Sequence, residues 1–298
     1  MIDLSGVFIP AVTPFLKGSG DVDIPAFKAN LEAWSQHPIQ GIVIAGTTGE
    51  AVLLDEDERR ALVAAGREIL PSNILLTVGT GVESTRATIR LSGQAAEAGA
   101  EAVLVQPPAY YKGAMTPEAL REHYHAVADA SPIPVIVYQA PLRMSTLDFP
   151  TGLIAELSTH ENIVGVKDSR GNLDLMGEIV EQCQSGFQLL VGSGAMLYPA
   201  LEIGAVGGIL GIANMVPGPS GEIYQAFKAG RSSEAGRLQE QLVPIHNEIV
   251  GAIGVPGVKA ALDLLGLSGG DPRPPIRPLS DKGREVVKGV LSRGGLMA

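Results

Sequence analysis

The chain has 298 residues, 45% hydrophobic and 18% charged, which supplies a large core and excludes an intrinsically disordered chain. A formal net charge of −10 with no basic run to offset it argues against a nucleic-acid-binding role. No apolar run has the length that spans a bilayer; Met1 is followed by IDLSGVFIP rather than a leader-like start, and the single Cys183 has no partner, so a cytoplasmic protein without disulfides or membrane contact is expected.

Along the chain, short apolar runs recur at residues 6–13 (GVFIPAVT), 41–45 (GIVIA), 73–80 (NILLTVGT) and 102–106 (AVLVQ). They continue at 134–139 (PVIVYQ), 163–168 (IVGVKD), 187–192 (FQLLVG) and 207–211 (GGILG). Each run is continuous rather than alternating, the pattern of strands covered on both faces. Helical segments lie between them. One, over 55–70, opens with acidic residues, and another, over 116–130, opens with TPE, which sets a proline at the first helical position. Eight strands alternating with helices predict an α/β protein with a (β/α)8 TIM barrel over residues 1–220. A helical C-terminal extension is expected over 221–298, broken by the proline-rich DPRPPIRP at 271–278. A doubly wound open sheet is the competing fold, but no Gly-rich dinucleotide fingerprint follows the first strand.

In such barrels the reactive groups sit at the C-terminal ends of the strands. Here those ends carry Thr13, GTTGE (46–50), GTG (79–81), QPPAYYKG (106–113), Tyr138, Lys167, GSG (192–194) and GIANMVP (211–217). Lys167 closes an apolar strand. A lysine there ordinarily extends its amine to water, but strands five and six are expected to be neighbours about 4.8 Å apart, which brings the Tyr138 phenol beside the amine. Burial favours the neutral, nucleophilic form of an amine, and a phenol next to it can move the protons of carbinolamine formation and dehydration. In GTTGE the glycines Gly46 and Gly49 serve a tight turn, while Thr47 and Thr48 offer hydroxyls and amides to a carboxylate at a helix N-terminus. The loop lacks the Gly-Lys-Ser/Thr of a nucleotide P-loop. His123 and His125 lie two apart on a predicted helix and so face differently, and His37, His160 and His246 are scattered, so no metal site and no cofactor are expected. GSG and Cys183 are assigned to an ordinary loop and to packing.

GTTGE, the Tyr110–Tyr111 pair, YQAP at 138–141, GVKDS with Lys167 and GGILGIAN at 207–214 together resemble the dihydrodipicolinate synthase/N-acetylneuraminate lyase family, in family order and over nearly the whole chain. The resemblance implies a metal-independent class I lyase, usually a homotetramer built as a dimer of dimers, whose lysine forms an imine with pyruvate. By position, Lys167 matches the Schiff-base lysine, Tyr138 the proton-shuttling tyrosine and Thr48 the relay threonine. Thr47 helps to hold the pyruvate carboxylate, Ile209 lines the pyruvate pocket, and Tyr111 matches the tyrosine inserted into a neighbouring subunit's site; Gly46, at the start of the same turn, is counted with the substrate-binding residues. The implied partners are a small 2-oxo acid and an aldehyde.

The aldehyde is addressed by finer similarities. Arg143 stands five residues after Tyr138, where the synthases hold an arginine for the aldehyde's carboxylate, although YQAPLRM here departs from their YNVPGRT. The positions of their lysine-feedback pocket hold Glu56, Arg59, Glu83 and Ala87, which do not resemble it. VESTRAT (82–88), AYYKGAM (109–115) and HYHAVADASPIPV (123–135) are closer to 4-hydroxy-2-oxoglutarate aldolase, whereas that branch tends to depart from GTTGE. The aldolase is favoured. The synthase, a sugar-acid dehydratase or deaminase of the same family, and a non-catalytic 2-oxo-acid-binding barrel are the alternatives.

Overall fold

The computed structural model describes residues 2–297 of the chain. The eight apolar runs form strands β1 (Gly6–Pro10), β2 (Gly41–Ile44), β3 (Leu75–Gly79), β4 (Ala102–Val105), β5 (Val135–Gln139), β6 (Ile163–Asp168), β7 (Gln188–Val191) and β8 (Gly207–Ile209). They pair in parallel in chain order, and β8 returns to β1, which closes the barrel and rules out the open sheet.

A helix follows every strand: α1 (Ile24–Ser35), α2 (Glu56–Ile69), α3 (Thr85–Glu97), α4 (Pro117–Ala130), α5 (Thr151–Leu157), α6 (Leu173–Gln182), α7 (Leu197–Glu202) and α8 (Pro217–Lys228). Their starts follow the sequence signals. Asp55 caps α2 in a reciprocal capping box with Glu58, and Thr116 caps α4 with Pro117 at its first position. Cys183 sits at the C-terminal cap of α6, half-buried, as a packing residue.

Alternation along each strand divides the apolar residues into two cores. Phe8, Val43, Leu104, Ile136, Val164, Leu190 and Ile209 fill the lumen, while Ile9, Ile42, Val103, Val135 and Val166 pack outward against the helices. The expected domain boundary at residue 220 falls inside α8, whose Ser220, Gly221 and Ile223 are buried. A Cβ on Gly221 would stand 2.2 Å from the Pro38 carbonyl oxygen, so this stretch of α8 lies directly on the barrel.

The helical extension begins after α8. It comprises α9 (Ser232–Ile245), a π-helical turn (His246–Gly251), α10 (Val255–Leu264) and α11 (Asp281–Arg293). Its π-helical turn packs against the segments that follow β7 and β8, so the extension reaches the rim where the strands end. No helix among the described residues is long and apolar enough to cross a membrane.

Candidate active site at the strand ends

Register places the two central side chains. Tyr138 on β5 pairs directly with Lys167 on β6, and the same inward parity turns both toward the lumen. Val137 and Val166, one position earlier, pack outward. The Lys167 Nζ lies 4.3 Å from the centroid of the Tyr138 ring, and the residues are 6% and 4% exposed. No carboxylate lies within ion-pairing distance of Lys167 among the described residues; the neighbouring Asp168 is paired with Arg170 instead. Asp168, one residue on, faces out of the lumen, fully buried, and its carboxylate accepts from the Arg170 Nε at 2.9 Å. Burial weakens the Arg170 cation, but Asp168 and Asp148 more than offset this and raise its pKa.

The loop after β2 delivers the hydroxyls. Two non-glycine residues flank it in left-handed conformation, Ala45 at φ 53° and Glu50 at φ 58°. Close packing leaves no freedom for the turn: a Cβ on Gly79 would stand 2.0 Å from the Ala45 carbonyl oxygen, and one on Gly49 would stand 2.7 Å from that of Ala11. The Thr13 hydroxyl donates to the Gly49 carbonyl at 2.7 Å. So held, the Thr47 hydroxyl lies 3.3 Å from the Tyr138 hydroxyl.

These groups open onto a cavity of about 390 Å³ at the C-terminal rim, lined by Thr47, Thr48, Tyr138, Lys167, Ile209 and Arg143. The Arg143 guanidinium donates to the Gly251 carbonyl at 2.6 Å, which ties the loop after β5 to the extension. No group of three or more His, Cys, Asp or Glu able to hold a metal ion occurs among the described residues.

The Dihydrodipicolinate synthetase family model matches residues 3–293. The chain belongs to that family. Its curated relatives include a 4-hydroxy-tetrahydrodipicolinate synthase of Syntrophus aciditrophicus, 34% identical over 98% of this chain and 99% of that one. Another is a probable mitochondrial 4-hydroxy-2-oxoglutarate aldolase of Emericella nidulans, 38% identical over 96% and 94%. Among solved structures, YagE, a prophage protein of the dihydrodipicolinic acid synthase family from E. coli K12 crystallised with pyruvate, superposes with a TM-score of 0.92 at 25% identity, covering 98% of this chain and 99% of that one. The family's named members are enzymes of the synthase and lyase type.

Within this family member the expected site residues separate into groups. Lys167, Tyr138, Thr47, Thr48, Ile209 and Arg143 converge on one cavity. It is Thr47, and not Thr48 as expected, whose hydroxyl meets the phenol. Gly46 is buried in the turn, where its carbonyl accepts from the Ala51 amide at 3.2 Å, and it does not line the cavity. Tyr111 also stands outside: it is 73% exposed, with its ring edge-on to Tyr110.

Sequence reasoning missed several residues. His246, set aside as one of the scattered histidines, lines the cavity from the π-helical turn, with its Nε2 3.2 Å from the Ser193 hydroxyl. Ser193 belongs to the GSG segment assigned to an ordinary loop. Burial, assisted by the Arg143 charge, lowers the His246 pKa to about 4, so the imidazole is neutral. A π-turn leaves little trace in sequence, and nothing in the spacing of residue 246 marked it. Lys259 was legible in principle, as a lone cation in the apolar helix VPGVKAALDL. It is fully buried and pairs with Glu50 of GTTGE at 2.7 Å.

Proposed function

We propose that this chain is a Schiff-base lyase in which Lys167 holds pyruvate or a related 2-oxo acid as an imine. The observation that carries this is the adjacent, inward-facing pair of Lys167 and Tyr138 at the mouth of the cavity, with 4.3 Å between amine and ring. The Lys167 amine attacks the C2 carbonyl carbon, and loss of water from the carbinolamine gives a protonated imine. Tyr138 and Thr47 carry the protons that these steps require, because their hydroxyls meet at 3.3 Å beside the amine. Thr48, which lines the cavity without a bond to the phenol, is left to hold the 2-oxo acid's carboxylate with the amides of the turn.

In the cleavage direction the substrate's 4-hydroxyl loses its proton and the C3–C4 bond breaks, its electron pair flowing into the imine to leave an enamine and a free aldehyde. Protonation of the enamine at C3 and hydrolysis of the imine then release pyruvate and the free amine. Synthesis runs the same steps in reverse. Holding both partners in one cavity supplies much of the rate through orientation.

For the aldehyde, the reading adopted is glyoxylate, which makes the enzyme a 4-hydroxy-2-oxoglutarate aldolase. The 38% identity to a protein so named supports it. The second reading is 4-hydroxy-tetrahydrodipicolinate synthase, supported by Arg143 at the cavity wall and by relatives of that name at 34%. Tyr111, with its ring in solvent, fits a role in the site of a neighbouring copy within a homotetramer.

The test is borohydride reduction in the presence of pyruvate, which is expected to fix one reduced pyruvate per chain to the wild type and none to Lys167→Ala. Labelling that persists in the variant refutes the assignment of the amine. Cleavage of 4-hydroxy-2-oxoglutarate measured against condensation of pyruvate with aspartate semialdehyde then decides between the two aldehydes.

A further inference from the structure

The extension has a second anchor at the rim, separate from the cavity wall. Lys259 on α10 uses all three donors of its ammonium group: to the Thr13 carbonyl at 2.8 Å, to Glu50 Oε1 at 2.7 Å and to the Asp271 carbonyl at 3.0 Å. The second Glu50 oxygen accepts from the Arg273 amide at 2.8 Å. Both oxygens of the GTTGE carboxylate are therefore held by the C-terminal extension, in a pair that is fully buried on both sides.

The contacts continue to the reacting hydroxyls without a gap. Glu50, strained at φ 58°, donates its amide to the Thr47 carbonyl at 3.1 Å, and Thr47 meets Tyr138. Thr13, which accepts from Lys259 through its carbonyl, uses its hydroxyl to hold Gly49. The two residues that follow Thr47 and Thr48, Gly49 and Glu50, are thus both held from outside the turn. Buried ion pairs add little net stability over a well-packed apolar replacement, so stability alone does not account for this one. What the pair supplies is a fixed geometry for a left-handed glutamate, a conformation that persists only where the surroundings over-determine it.

We propose that Lys259 is a positioning residue, acting through Glu50 to hold the Thr47 hydroxyl against Tyr138. The inference rests on the imine reading above and makes the C-terminal extension part of the active site. Its consequence is specific: breaking the pair lets the turn relax and slows the proton transfers that Tyr138 and Thr47 carry, exchange at the imine's C3 included, while the extent to which the Lys167 amine, on a separate strand, is held as imine at equilibrium stays close to that of the wild type.

The probe is pyruvate alone, which removes any dependence on the aldehyde. Borohydride trapping counts competent Lys167 sites, and exchange of the pyruvate C3 protons in D2O, followed by NMR, reports proton removal from the imine. Lys259→Met is expected to trap pyruvate with half-saturation within threefold of the wild type, while exchange per trapped site falls at least tenfold. Glu50→Gln, which keeps the side chain's size and one acceptor oxygen, is expected to show the same split and serves if the methionine variant does not fold. Exchange per trapped site within twofold of the wild type in either variant overturns the proposal. So does a parallel loss of trapping and exchange, or failure of both variants to fold, since each makes the pair a general folding element. A wild type that traps no pyruvate instead refutes the imine reading itself.

Discussion

Replacing Tyr138 by phenylalanine isolates the phenol from everything else the residue does. The ring that stands 4.3 Å from the Lys167 amine remains, as does its packing in the lumen, where the residue is 4% exposed. What disappears is one hydroxyl and its 3.3 Å contact with Thr47. One neutral hydrogen bond is worth about 1 kcal/mol in stability, so the melting temperature is expected to fall by only about 2–4 °C for a domain of this class. The catalytic cost is larger, because general acid–base assistance by a placed side chain contributes about 10²–10⁴-fold. That range is about 3–5 kcal/mol of barrier at 1.36 kcal/mol per tenfold. Steady-state cleavage of 4-hydroxy-2-oxoglutarate should therefore show kcat down by at least a hundredfold, with KM changed far less. Borohydride should still trap pyruvate on Lys167, only more slowly. A variant that keeps kcat within threefold of the wild type removes the phenol from the mechanism.

Two further outcomes follow from the same geometry. Because only Thr47 bonds to the phenol, Thr47→Ala should depress kcat about tenfold or more, and Thr48→Ala should act chiefly on the KM for the 2-oxo acid; steady-state kinetics showing the opposite split restores Thr48 to the relay. His123 and His246 are both held by burial at a pKa of about 4, below the ordinary 6.5. Below pH 6.5 the unfolded chain takes up protons that the folded chain refuses, so their stabilisation is complete above that pH and declines as pH falls toward 4, by about 3 kcal/mol for each. Denaturant titrations between pH 6.5 and 5, above the range of most carboxylates, should show stability falling by about 1 kcal/mol per pH unit for each histidine. An unchanged slope in the His123→Gln/His246→Gln double variant refutes the assignment.

The fold was largely legible because a parallel barrel writes itself plainly: strands covered on both faces are continuous apolar runs, and a helix must return the chain after each one. Lys167 and Tyr138 were legible for the same reason, since neighbouring strands in chain order make β5 and β6 partners and equal depth sets their register. The roles of Thr47 and Thr48 were not. Which of two adjacent hydroxyls turns to the phenol depends on backbone dihedrals at Ala45 and Glu50, and left-handed non-glycine residues carry no sequence mark. His246 was hidden because a π-helical turn, not a strand end, presents it to the cavity. The expected boundary at 220 falls inside α8, which opens at Pro217 and runs on to Lys228, because a helix that continues over the barrel gives no break in composition there.

One structural device recurs on this rim and explains why its chemistry is so tightly placed. On β6 the inward residue, Lys167, faces a cavity with no Asp or Glu lining it among the described residues, and the outward residue beside it, Asp168, clamps Arg170. In the turn after β2, Thr47 faces the cavity, and Glu50 three residues later is locked to the extension. Each reactive group thus has a buried carboxylate nearby on its own backbone that is paired with a cation. Because side chains alternate, a slip of one residue on β6 would bury the amine among the helices and turn Asp168 into the lumen. The anchors therefore guard register as well as position, and the cost of moving them is expected to appear in proton transfer before it appears in the fold.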